Sequence, residues 1–203
     1  MAILNRFSEM FSEISTWRRD LHAHPELRFE EYRTAAFVAS KLKEFGVNEI
    51  VTGFGGTGVV GVIHGRIDTS GRSIGFRADM DALPIQENTG LPYASQHPGK
   101  MHACGHDAHV AMLLAAAKAL MSVRNELPGT IVLVFQPAEE GAPAGEQPAG
   151  ADAMILEGVL DNLRKGRSFV VERGHVVILG YSPKLHTLLS ELALANANQP
   201  GAC

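Results

Sequence analysis

The run Thr130-Ile-Val-Leu-Val-Phe-Gln136 is the stretch that most restricts how this chain can fold. It is uncharged, β-branched and aromatic, without the alternation of a strand that has one wet face. It therefore predicts a central strand covered on both sides. Before it, residues of about 105–123 are rich in Ala, Leu and Met and apolar nearly all round, which predicts a deeply buried helix. A buried strand beside a buried helix points to an α/β sandwich with at least some parallel pairing.

The rest of the chain fits that class. Ile3, Leu4, Phe7, Met10, Phe11, Ile14, Trp17 and Leu21 recur at threes and fours, predicting an amphipathic helix over 3–23 that stops near His24-Pro25. A second helix is predicted over 29–45, closed by Gly46. Extended segments follow at Glu49–Thr52, Val59–Ile63 and Ser73–Arg77. Residues 80–103 read as a long loop, of the kind that is usually functional when it is ordered. A short helix is expected at about 151–160, a strand at 176–179 and a helix from Ser182-Pro183 to about Leu194.

Bulk properties narrow the function. A chain of 203 residues supports one sizeable core, and a net charge of −4 without a basic tract argues against nucleic acid as a partner. Two cysteines, at 104 and 203, form no disulfide framework and suit a reducing, cytoplasmic setting. The first residues have no signal-peptide core, and no apolar run approaches the roughly 18 residues of a membrane span.

In open αβ sheets, sites form beyond the carboxyl ends of the strands. Three polar segments belong there: Asp79-Met-Asp81, the cluster of residues 101–109, and Glu139-Glu140. The cluster holds His102, Cys104, His106, Asp107 and His109 where a loop enters a helix, and it reads as a metal site; taken singly, each residue could be a surface, capping or core group. Adjacent glutamates repel unless a cation lies nearby. With a metal present, one can bind it while the other accepts a proton from water whose pKa the metal lowers to about 7; otherwise the pair is a solvated acidic turn. Asp79 and Asp81 share one face of an extended segment, where a carboxylate could orient an imidazole, or they form a turn before Pro84. His22 and His24 read as a helix-end cap with a core contact, and His64 and His97 as structural. Gly53, Gly55 and Gly58 match a dinucleotide fingerprint, but the segment after Gly58 reads as a strand rather than the required helix. A non-catalytic metal-binding domain is the third class, and it would not need Glu139.

Five motifs in order carry a family resemblance: Trp17–Thr34, Gly56-Thr-Gly58, Phe76–Pro84, Met101–His109 and Phe135–Gly141. Over residues 10–162 they resemble the amidohydrolases of the hippurate hydrolase, aminoacylase and indoleacetyl-amino-acid hydrolase group, a branch of the dinuclear metallopeptidases. The resemblance implies a three-layer αβα sandwich with a mixed, largely parallel sheet. It also implies two divalent ions, Mn2+ or Zn2+, and hydrolysis of the amide of an N-acyl amino acid. By position, Cys104, His106 and Glu140 would be metal ligands and Glu139 the general base, with Asp81 beside it in the catalytic set. Asp79 and His109 would stand behind the ligands.

The resemblance fades after Asn162. Residues 1–162 read as the N-terminal part of a catalytic domain, and 163–203 as a divergent, frame-shifted or otherwise aberrant tail. On this reading the family's lid and dimerisation domain is absent, and with it that route to an oligomer. Two further histidine ligands of the family would also be missing, so the expectation is a weakly active or inactive chain.

Overall fold

The computed structural model describes residues 2–66, 73–141, 150–156 and 175–178. The elements run α1 (Ala2–Ala23), α2 (Tyr32–Glu44), β1 (Glu49–Phe54), β2 (Gly58–His64), β3 (Ser73–Asp79), α3 (His106–Ser122), a 3-10 turn (Arg124–Glu126), β4 (Thr130–Gln136), α4 (Gly150–Leu156) and β5 (His175–Ile178). The predicted helix over 182–194 lies outside the described residues, as does the end of the one expected at 151–160.

The five strands form one sheet in the order β1-β2-β4-β3-β5. It is mixed, as the resemblance implies, with its parallel pairings confined to one half. β1–β2 and β2–β4 are antiparallel, while β3–β4 and β3–β5 are parallel. The antiparallel half follows from a tight connection: residues 55–57 join β1 to β2, too few for a crossover. The parallel half arises from the β3–α3–β4 unit, in which α3 returns the chain to the same end of the sheet.

β4 is central, and its burial explains its composition. Ile131, Leu133 and Phe135 face one core with Val59 and Ile63 of β2, Val38 and Leu42 of α2 and Val110 and Leu114 of α3. Val132 faces the other way, onto Val60, Val62 and Met154 of α4. Helices therefore cover both faces, and α1 packs onto α3 through Trp17 and Leu21. Each fully buried Leu or Phe here contributes about 1.5–3 kcal/mol relative to exposure. α3 is buried as its composition predicts, although Met112 emerges at 58% exposure.

The loop after β3 is tied at three levels. Leu27 bridges Ala82, Leu83 bridges Met101, and the buried Glu87 accepts hydrogen bonds from the Thr89 hydroxyl and the Ser95 amide. Parallel pairing of β3 with β4 sets Asp79 opposite Gln136. The chain leaving both strands thus emerges at one end of the sheet, where α3 also begins.

Candidate metal centre

At that end, Gly105 adopts a left-handed conformation (φ 84°) before α3 and turns His106 inward from the helix's first residue. The ring is buried and held from behind. Its Nδ1 lies 2.9 Å from the carbonyl oxygen of Asp81 and 3.2 Å from Asp81 Oδ1. Those acceptors place the proton on Nδ1 and leave Nε2 to face Glu139 Oε2 and Glu140 Oε1, each 3.9 Å away. Asp81 Oδ2 accepts the backbone N–H of Glu140 at 3.0 Å. One carboxylate therefore fixes both the imidazole and the turn carrying the two glutamates.

Potential ligand atoms of Cys104, His106 and Glu140 all lie within 4.8 Å of one another, and those of Asp79, His106 and His109 form a second such group. Asp79 is buried. Its Oδ1 pairs with Arg77 Nε at 2.9 Å, and its Oδ2 lies 3.6 Å from His109 Nδ1. Burial acts to raise the Asp79 carboxyl, but His109, Arg77 and His106 outweigh it and hold the pKa below the ordinary value.

The electrostatics call for a cation. Partial burial, then Glu140, Glu139 and Asp79, push the Cys104 thiol up to about 11. Burial works against charge on His106, yet the hydrogen bond and charge of Asp81, joined by Asp79, raise its pKa to about 9. Glu140 Oε1 and His109 Nδ1 are buried without a hydrogen-bond partner among the described residues. A thiol, an imidazole and a carboxylate converging with spare lone pairs fit a borderline-soft divalent ion.

Of the residues singled out from the sequence, Asp79, Asp81, Cys104, His106, His109, Glu139 and Glu140 stand in this one region, whereas Asp107 pairs with His22. His102 does not join that region. It is buried, has no hydrogen-bond partner on either ring nitrogen among the described residues, and lies beside His22, 6.4 Å between ring centres. His22 is not a helix cap. Its Nδ1 lies 2.6 Å from Asp107 Oδ2 and its Nε2 3.3 Å from Glu87 Oε1, so it bridges α1, α3 and the long loop. His24 does cap, with Nδ1 at 2.8 Å from the Asp20 carbonyl. His64 is structural, 2.8 Å from Glu49. Arg77 lies within the Phe76–Pro84 motif but has no role assigned from the sequence, although its spacing of two from Asp79 puts both on one face of β3. Its Nη2 also lies 3.9 Å from Glu139 Oε1.

Gly53–Gly58 forms the β1–β2 hairpin and opens no helix, so its geometry is not that of a dinucleotide site. A Cβ on Gly58 would meet the Phe54 carbonyl oxygen at 2.4 Å and Pro137 Cδ at 3.2 Å, and one on Gly55 would meet Pro137 Cγ at 3.4 Å. These glycines let the backbone close under the Pro137 ring.

Ala138 follows, at φ 47°, where a residue with a side chain is strained. Such strain costs on the order of 1–3 kcal/mol and persists only where surrounding contacts impose it. It turns the chain sharply, so that Glu139 and Glu140 face the α3 N-terminus rather than continuing along β4.

The chain is similar to proteins whose names describe this chemistry. It is 47% identical over 161 residues to a hippurate hydrolase of Campylobacter jejuni, covering 79% of this chain and 39% of that protein. It is 45% identical over 155 residues to an N-acyl-L-amino acid amidohydrolase of Geobacillus stearothermophilus, covering 76% and 40%. A crystal structure of a dinuclear metal-binding peptidase of the M20 family from Bacillus subtilis superposes with a TM-score of 0.68 at 45% identity, over 76% of this chain and 41% of that one. The chain thus spans about two-fifths of the length of these relatives. The profile of Peptidase family M20/M25/M40 matches residues 75–183, a span that passes Asn162 and includes β5. With over half of its length inside that profile, the chain belongs to the M20/M25/M40 peptidase family.

Proposed function

We propose that residues 1–162 form the N-terminal part of a catalytic domain that hydrolyses the amide bond of N-acyl amino acids. The observation that carries this is the meeting of Cys104, His106 and Glu140 within 4.8 Å, with the Glu139 carboxylate 3.9 Å from the same imidazole. The names of the similar proteins, a hippurate hydrolase and an N-acyl-L-amino acid amidohydrolase, favour the substrate class.

Cys104, His106 and Glu140 would hold a divalent ion, Mn2+ or Zn2+, with Asp79 and His109 standing behind those ligands. When bound, the metal supplies the Lewis acidity that a poorly electrophilic amide carbonyl needs. Glu139, beside that set but not part of it, takes the proton from the attacking water and returns it to the departing amine. Arg77 Nη2 lies 3.9 Å from the Glu139 carboxylate and helps to orient it. Asp81 is a positioning residue: it fixes the His106 tautomer and anchors Glu140. Among the described residues, the Cys104 set offers three donors, whereas such ions usually take four or more.

The test is release of free amino acid from N-benzoyl, N-acetyl and indoleacetyl amino acids with Mn2+ or Zn2+, alongside metal content by elemental analysis. Glu139→Gln retains the metal and loses at least about a hundredfold in hydrolysis. Metal bound without hydrolysis in wild type would favour a non-catalytic metal-binding domain instead, and hydrolysis unchanged in the variant would remove Glu139 as the base.

A further inference from the structure

The turn that carries the two glutamates is gripped from a part of the chain that lies outside the metal-binding motifs. Glu31 is fully buried, immediately before α2. At that position a carboxylate ordinarily caps its own helix, yet Glu31 makes no capping hydrogen bond. Glu26 does that work instead, accepting the backbone N–H groups of Arg33 at 2.9 Å and Thr34 at 2.8 Å. Glu31 is thereby released to point at the sheet end. Its Oε1 accepts the backbone N–H of Ala138 at 2.9 Å, and its Oε2 accepts the Thr57 hydroxyl at 2.5 Å.

Three features make this more than a core contact. Ala138 is the residue in left-handed conformation that redirects the chain toward Glu139 and Glu140. Its N–H would otherwise be a buried, unpaired donor. Three residues further on, Arg28 Nη1 donates to the carbonyl oxygen of Gly141 at 2.6 Å, so the same short segment holds the turn at its start and at its end. Asp81 holds the middle through the Glu140 N–H. Burial also raises the Glu31 pKa from its ordinary value, against the pull of the Thr57 and Ala138 hydrogen bonds, which is consistent with an environment built around these two donors.

We infer that Glu31 is a positioning residue for the Glu139–Glu140 pair, acting through the backbone N–H of Ala138, with Arg28 closing the same turn at Gly141. This rests on the metallohydrolase reading for its purpose, although the grip on the turn can be measured without metal. Removal of the Glu31 carboxylate lets Ala138 relax from its strained conformation and carries the Glu140 side chain away from Cys104 and His106. Glu31→Gln keeps an oxygen for the Ala138 N–H and presents its amide to the Thr57 hydroxyl oxygen, so it should preserve the turn.

Two measurements on the full 203-residue chain test this, comparing wild type, Glu31→Ala and Glu31→Gln. The first is residue-resolved amide hydrogen exchange of the metal-free protein. Exchange at Ala138 and Glu140 should rise by about tenfold or more in Glu31→Ala, with Leu133 and Phe135 of β4 unchanged, and Glu31→Gln should match wild type. The second is titration with Co2+, followed by thiolate-to-metal absorption. Affinity should fall by about 10–100-fold in Glu31→Ala and stay within about threefold in Glu31→Gln. Unchanged exchange at Ala138 and Glu140, or exchange that rises equally along β4, would overturn the inference by reducing Glu31 to an ordinary core residue. So would a local rise in exchange with Co2+ affinity unchanged. If wild type itself binds no Co2+, the metallohydrolase reading fails, and the amide exchange alone decides whether Glu31 holds the turn. Should Glu31→Ala not fold, Arg28→Ala releases only the Gly141 carbonyl, and its Co2+ affinity should fall by about tenfold; no change there would overturn the inference.

Discussion

His102 and His106 sit four residues apart and are driven in opposite directions. Burial drops the His102 pKa to about 4, and the charge of Asp107 recovers only part of that loss. His106 is also buried, but the Asp81 hydrogen bond and charge raise it to about 9. Proton linkage turns the first into a measurable instability. A histidine depressed in the folded state stabilises the fold above its unfolded pKa of about 6.5, and that contribution disappears as pH falls towards 4. At pH 5 the loss amounts to about 2 kcal/mol. Urea unfolding of wild type and His102→Phe at pH 7 and pH 5 should show a smaller acid-induced loss in the variant; equal losses would count against the depressed pKa. The other pair of shifts bears on metal uptake. Cys104 and His106 both hold their protons at pH 7, so binding of one ion through both should release about two protons. Calorimetric titration in buffers of different ionisation enthalpy reads that number directly.

At the scale of elements, the β1–β2 hairpin and the turn after β4 form one unit, because Pro137 packs over Gly55 and Gly58. Gly58→Ala would place its Cβ at 2.4 Å from the Phe54 carbonyl, which no side-chain adjustment relieves. The expected cost is at least about 2 kcal/mol, seen as a lower denaturation midpoint with an unchanged slope. These elements also show what a sequence discloses. β4 and α3 are legible because burial on every side leaves an uninterrupted apolar signature, and β4 begins and ends where its composition does. The start of α2 is less so. A helix pattern can be drawn from residue 29, but Phe29 takes a φ of 60° and the helix begins at Tyr32. No local propensity reveals that Glu31 is needed 107 positions away. His22 is obscured for the same reason: it looks like a cap until Asp107, 85 residues on, is brought against it by helix packing. The metal-type cluster is legible because its residue types are crowded into short motifs, whereas the side chains that aim it are dispersed along the chain.

For the molecule as a whole, an ion held at the proposed site would tether the start of α3 to the end of β4. Among the described residues, no helix is long and apolar enough to cross a membrane. A ligand that binds only the folded chain stabilises it by mass action, about 2.7 kcal/mol at a hundredfold excess over Kd. For a chain of this length that corresponds to a rise in Tm of roughly 5–10 °C. The rise should depend on the donors from both segments, since neither segment alone supplies enough of them. The decisive measurement is therefore the Tm of the metal-free chain with and without saturating Zn2+, for wild type, Cys104→Ser and Glu140→Gln. A rise of several degrees in wild type, lost or greatly reduced in both variants, is the result expected. An equal rise in all three proteins, or none in wild type, would contradict a shared metal site at this end of the sheet.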